Sequence, residues 1–380
     1  MTPQFKSPVF LQSGDDFCDT VMQALRCNGA APSPISTGAL SMPTGSRAWR
    51  AARETALRGT THLSPTKWLT AACHHAGTLR KLREHEADLV YLWRGMFGRA
   101  ALGADAARAL GIPCVFFEGG PIRGWVQIDM QGVNARSSIP RNRTFFHLWR
   151  TEFGLRALDW RTLEQTMTTA TPKRAGVAQR ARSDWAGVGN FLFCPFQVNR
   201  PGDPLPDGGW VSDAADLMAA LAQASRALRK GWHLRLKPHP NARGDLVHLA
   251  ARHPDARLVI DAETNSLDQL RASQGVITVN SAMGLEAFFA DKPVITLGDT
   301  YYGGLGRTQT ASSVTELANL LADPLALGFD QEARDDLMAF LFNDFFVPVP
   351  RLQAGGFDIA DLVQRHARHQ EILARAVRQS

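Results

Sequence analysis

Four stretches place chemically useful side chains directly after apolar runs. In VNSAMGLEAF, residues 279–288, Asn280, Ser281 and Gly284 separate a β-branched run from a helix-like one, and Glu286 follows. A turn of this kind presents backbone N–H groups at a helix start, where phosphate is favoured. Asn280 and Ser281 can add side-chain hydrogen bonds, Gly284 lets a ligand or backbone approach, and Glu286 can accept from ribose hydroxyls. The competing reading is an ordinary helix start with a Ser cap and a dipole-matched Glu.

The second stretch, WHLRLKPHP (232–240), leaves its apolar run through Lys237-Pro-His239-Pro. The prolines force an extended exit and hold an ammonium and an imidazole that suit a diphosphate or a nucleoside monophosphate leaving group; the structural alternative is a rigid surface turn with incidental polar residues. The third, FLFCPFQ (191–197), ends at Gln197 and enters a Gly- and Pro-rich loop carrying Asp203 and Asp207. A carboxylate there can serve as nucleophile or base, although Asp beside Gly or Pro more often simply forms a turn. The fourth ends at Glu118, a candidate general acid or base, with a turn cap as its structural alternative.

These residues require strands that end in line. From residue 88 the pattern is strand 88–93, helix 98–111 and strand 112–120, which implies a parallel sheet with a right-handed crossover. A second run alternates strands at 191–197, 232–238, 256–261, 275–279 and 293–298 with helices at 214–231, 244–254, 266–273, 284–291 and 313–323. The expected class is α/β, with two Rossmann-like lobes in a GT-B-like architecture and ligands beyond the carboxyl ends of the strands, in a cleft. The expected division is 1–185, 186–345 and an amphipathic helix over 346–380 that packs back on the first lobe or touches an anionic surface through Arg365, Arg368, Arg375 and Arg378. Residues 7–14 read as a strand and loop, 15–29 as a helix, 31–46 as loop, 48–59 and 67–87 as helices, and 156–185 as helical, then basic.

A chain of 380 residues with 44% hydrophobic and 21% charged residues is globular and long enough for two cores. A net charge of +6 suits anionic ligands such as nucleotides or acidic glycans. No helix-turn-helix, zinc-finger or RNA-binding signature is present, so nucleic acid is not an expected partner. Five scattered cysteines without a CxxC pair read as reduced cytosolic thiols. Neither a signal peptide nor a membrane-spanning run is expected. His74-His75 and the His366/His369 pair lack a ligand set, and HExxH, GxSxG, P-loop and GxGxxG patterns are missing, so no metal or cofactor is expected.

Together PFQ…GD (195–203), KPHP (237–240), VNSAMGLEAFFADKPVITLGDTYY (279–302) and FFEGGPIRGWVQIDMQGVNARSSIP (116–140) resemble the bacterial capsular polysaccharide biosynthesis proteins, in their β-Kdo-transferase-like, single-module form. The resemblance covers roughly residues 88–305. It implies a cytoplasmic, metal-independent glycosyltransferase at the inner-membrane surface, working with the capsule assembly machinery. That enzyme would move Kdo or a related sugar from a CMP-activated donor to a lipid-linked or saccharide acceptor. The same resemblance puts His239 at the nucleotide phosphate, Asn280 and Ser281 in the nucleotide pocket and Glu286 at the ribose, with Gln197, Lys237 and Gly284 in the same group. It makes Asp203 the candidate nucleophile, with Asp207 its rival because the Gly-Pro-rich loop departs from the family pattern, and Glu118 the candidate acid/base. The alternatives are a UDP- or GDP-sugar transferase, a non-catalytic assembly or export component, and an epimerase of the same architecture.

Overall fold

The computed structural model describes residues 5–12, 24–25, 32–56, 64–154, 158–168, 179–197, 205, 207–242 and 246–379. The chain forms two compact units, Met1–Leu158 with Ala339–Ser380, and Asp159–Met338.

The first unit opens with β1 (Pro8–Gln12), β2 (Ser33–Ser36), β3 (Leu89–Trp93), β4 (Cys114–Gly119) and β5 (Trp125–Asp129). β1 pairs in parallel with β2 and β3, and β3 with β4, while β5 runs antiparallel to β4. All five residues of β3 are buried, which explains its unbroken apolar sequence: helices cover both faces of a parallel strand. The long helices Pro65–Glu84 and Gly98–Ala109 line this sheet, and the small residues Ala104, Ala106 and Ala107 let the second approach closely.

The second unit holds β6 (Asn190–Pro195), β7 (Trp232–Lys237), β8 (Leu258–Ile260), β9 (Val276–Thr278), β10 (Val294–Thr296) and β11 (Gln309–Thr310). They pair in parallel in the order β11-β10-β9-β6-β7-β8. Read from β8, this is the 3-2-1-4-5-6 order of a dinucleotide-binding Rossmann sheet. Its helices start where the sequence supplies caps: Asp213 accepts from the Asp216 N–H at 2.8 Å, and Asn265 from Asp268 N–H at 2.9 Å. The chain then returns to the first unit as β12 (Phe346–Pro348), antiparallel to β5.

The α/β class and the two Rossmann-like units are therefore as expected, and from residue 88 to 120 and from 190 to 322 each expected strand and helix is present near its span, except that the helix expected at 214–231 ends at Ser225 and the short strand Gln309–Thr310 is not among those expected. Several expectations are corrected. Residues 33–36 are a strand, not loop, because Ile35 fills the core beside β1. The 156–185 stretch has a single described helical piece, the 3-10 turn Trp160–Thr166. This stretch sides with the second unit: Trp160 stacks edge-on against Phe289 at 5.0 Å, Arg180 N donates to Glu263 O at 2.8 Å and Arg182 N to Asp268 Oδ2 at 2.7 Å. The junction thus falls between 158 and 159 rather than at 185/186. The helix expected at 15–29 lies outside the described residues except for 24 and 25.

The tail helix Ile359–Gln379 belongs to the first unit and buries Ile359, Leu362 and Ile372. Arg365 is not on its wet face. It is buried and donates to the carbonyls of Phe345 at 2.7 Å, Asp344 at 3.3 Å and Ile128. Asp344 accepts from Trp149 Nε1 at 2.8 Å and bonds His369 Nε2 at 2.9 Å and Arg368. No helix among the described residues is long and apolar enough to cross a membrane.

Candidate functional site

In the second unit the strand order reverses between β6 and β9, and in sheets of this order the carboxyl edge at that point is where ligands bind. Gln197 lies two residues past β6 and Asn280 two past β9. Gln197 Nε2 donates to Asn280 Oδ1 at 2.7 Å, so the structure brings these two expected residues together at the switch point.

Ser281 continues that edge. Its N–H is held by Thr278 Oγ1 at 3.1 Å, its Oγ accepts from Met283 N at 3.3 Å, and its carbonyl accepts from Tyr302 Oη at 2.5 Å. The helix that follows, Met283–Phe289, has no side-chain cap on its N-cap residue Ala282. Gly284 has a packing reason rather than a ligand reason: a Cβ there would lie 2.3 Å from the buried Tyr302 hydroxyl. Glu286 is half-buried, and burial pushes its carboxyl up to about 7. Among the described residues nothing hydrogen-bonds to that carboxyl, and Tyr302, held well above its ordinary pKa chiefly by burial, also feels its charge.

Past β7, Lys237 and His239 separate in role. Lys237 is buried, and its ammonium donates to the carbonyls of Thr264 at 2.6 Å and Ala262 at 3.1 Å. It ties the β8 exit to β7 and faces main chain rather than a ligand; burial brings its pKa down to about 8. His239 Nδ1 accepts from Asn241 N–H at 3.1 Å, which makes Nε2 the proton-bearing nitrogen. Burial, with the Lys237 charge adding, holds its pKa below the ordinary value. A neutral ring of this tautomer is a hydrogen-bond donor at the sheet edge.

Asp203 lies outside the described residues. Asp207 sits in the left-handed region at φ 52°, and its carbonyl accepts from Asp299 N–H at 2.8 Å. Gly298 has no room for a side chain, since a Cβ would lie 2.7 Å from the Asp207 carbonyl. The turn at 207–209 is thus fastened to the exit of β10.

In the first unit, Glu118 near the end of β4 pairs with Gln127 across to β5. Arg94 Nε lies 3.0 Å from Glu118 Oε1, and Asn134 Nδ2 donates to Oε2 at 2.8 Å. Burial raises the Glu118 pKa, while Arg94 and Asn134 oppose the rise. Asn134 closes the Asp-x-x-Gly-x-Asn pattern of the 116–140 stretch, whereas Arg94, Gln127 and Tyr302 are not among the residues that the sequence alone assigns to a site. The one sequence signal for Arg94 is the glycine that follows it, a turn-type pair; Gln127 and Tyr302 carry none.

Three of the four histidines in the His74-His75 and His366/His369 pairs have protein partners: His74 bonds the Ala39 carbonyl, His75 bonds Asp105 and His369 bonds Asp344. Among the described residues no cluster of three or more His, Cys, Asp or Glu could hold a metal.

The second unit thus combines a Rossmann-order parallel sheet with paired polar side chains at its switch point. Residues 173–319 match the family model described as capsule polysaccharide biosynthesis protein, so the resemblance carried by the motifs holds across most of that unit. Protein FixF of Sinorhizobium fredii is 27% identical over 272 residues, which cover 70% of this chain and 63% of that protein. The chain therefore spans less than two thirds of the length of this curated relative. Among solved structures, the β-Kdo 2,7 transferase of Thermosulfurimonas dismutans KpsC is 10% identical with a TM-score of 0.45, covering 92% of this chain and 98% of that one. The β-Kdo 2,4 transferase of the same protein is 16% identical with a TM-score of 0.43, covering 74% and 87%.

Proposed function

We propose that the chain is a glycosyltransferase of capsule or surface polysaccharide biosynthesis. It moves Kdo or a related sugar from a CMP-activated donor to a lipid-linked or saccharide acceptor. The observation that carries this reading is the Gln197–Asn280 bond at the switch point of a Rossmann sheet, within the segment that matches the capsule family. In this reading the donor's nucleotide lies along that edge. His239 Nε2–H donates to the phosphate next to the leaving bond, Ser281 adds a hydroxyl, and Glu286 takes the ribose hydroxyls. A neutral imidazole suits the role, because it donates without binding the product nucleotide as tightly as a cation would.

Glu118 is the proposed acid/base for the acceptor hydroxyl, and Asp203 the proposed nucleophile. Burial raises the Glu118 pKa while Arg94 and Asn134 brace its two oxygens, and a buried, oriented carboxyl of this kind supports that assignment. Lys237 is left out of the donor contacts, because its ammonium is occupied by main-chain carbonyls.

The test is nucleotide release from CMP-Kdo, with UDP- and GDP-sugars as comparators, with and without saccharide acceptors. Acceptor-dependent CMP release that is lost in Glu118→Gln supports the proposal. Release from a UDP- or GDP-sugar instead would keep the transferase and discard the donor. Conversion of the sugar without an acceptor would indicate an epimerase. No turnover and no nucleotide binding by the folded protein would leave a non-catalytic assembly component.

A further inference from the structure

We infer that Gln127 and Asn134 are positioning residues for Glu118. They fix which end of the Asn134 amide meets the carboxylate, so that one oxygen of Glu118 is held by Asn134 while Arg94 holds the other. The inference rests on the reading of Glu118 as the acid/base. An asparagine amide can turn either its oxygen or its nitrogen to a neighbour. Here Gln127 decides. Its Nε2 donates to Asn134 Oδ1 at 2.9 Å, and its Oε1 accepts from the Asn134 backbone N–H at 3.0 Å. With Oδ1 occupied, Nδ2 faces Glu118 Oε2 at 2.8 Å. Gln127 is itself buried and lies directly across the β4–β5 ladder from Glu118, so the relay is anchored in the sheet.

The backbone gives a second, independent sign. Among the described residues six that are not glycine have positive φ, and two of the six, Arg94 at 61° and Asn134 at 53°, meet at this one carboxylate. Such conformations are costly and persist where the surroundings overdetermine them, typically at working sites. The loop is built to hold Asn134 so. Asp129 accepts from Gln131 N at 3.0 Å and Ser138 N at 2.5 Å, and Gly132 has no room for a Cβ, which would lie 2.5 Å from the Arg136 carbonyl. The charged group facing Glu118 is Arg94; Gln127 and Asn134 are neutral, and the hydrogen bond that Asn134 donates favours the ionised carboxylate against burial.

The test is a titration of the Glu118 carboxyl in the full chain by 13C NMR, assigned by loss of its signal in Glu118→Gln. Asn134→Gly suits the left-handed backbone and removes the amide; Asn134→Asp also tolerates it and sets a second carboxylate against the first. The Glu118 midpoint should rise in Asn134→Gly and rise further in Asn134→Asp. In turnover, the limb of the pH–rate profile governed by Glu118 should move the same way, with kcat down about tenfold and donor KM within about twofold. A folded Asn134→Gly protein with the parental midpoint overturns the inference. A shifted midpoint in a protein without transferase activity upholds the relay and overturns the role given to Glu118.

Discussion

Gln197 Nε2 and Asn280 Oδ1 stand 2.7 Å apart, and their bond joins the exits of β6 and β9 where the strand order reverses. The two residues are 83 positions apart in sequence and meet because both strands end at the same edge of one parallel sheet. If they act on a ligand as a unit, their contributions should not add. Gln197→Leu and Asn280→Leu should each weaken nucleotide binding about tenfold, and the double variant should bind much like the weaker single one. Calorimetric titration of the three proteins checks this; full additivity would separate the residues.

Glu286 should make stability fall with rising pH. Its carboxyl, pushed up to about 7, starts from an ordinary value of 4.5, so the folded state favours the protonated form. The penalty is absent below 4.5, grows as pH rises and is complete above 7, at most about 3 kcal/mol. Glu286→Gln should therefore unfold at higher temperature than the parent at pH 8, with little difference at pH 4. Equal gains at both values would remove burial as the cause.

Lys237 and His239, two residues apart, should respond oppositely to substitution. Lys237→Met leaves the Ala262 and Thr264 carbonyls without their donor and should cost about 1–3 kcal/mol of stability. His239→Ala should leave unfolding nearly unchanged and weaken nucleotide binding about tenfold. Thermal denaturation and calorimetry on the same samples separate the two roles.

Gly284→Ala should destabilise the second unit by about 1–3 kcal/mol, because the new methyl meets Tyr302 2.3 Å from its hydroxyl. Tyr302→Phe, which gives up the bond to the Ser281 carbonyl, should cost about 1 kcal/mol. Chemical denaturation measures both. A neutral Gly284→Ala would return this glycine to the ligand reading.

Most of the Rossmann alternation was legible in the sequence because buried parallel strands such as LVYLW and FLFCP are continuous apolar runs between helical ones. Short strands defined by distant partners were not. β2 offers a single core residue, Ile35, and β12 is a three-residue strand that pairs with β5 more than 200 positions away. The same limit governed the site. Asn280, Ser281, His239 and Glu286 could be placed at a sheet edge from their position after strands. What a charge faces could not: Lys237 turns to two carbonyls, and Arg365 to three. Gly284 answers to Tyr302, eighteen residues on, and Glu118 to Asn134, whose left-handed backbone has no signature beyond a turn-forming residue type.

The most direct measurement is calorimetric titration of the full chain with CMP, with UDP and GDP as comparators, repeated on Gln197→Leu and His239→Ala. CMP should bind in the micromolar range, more tightly than the other two, and both substitutions should weaken it. Binding of no nucleotide by the folded protein, or CMP binding indifferent to both substitutions, would contradict a nucleotide site at the β6–β9 switch point.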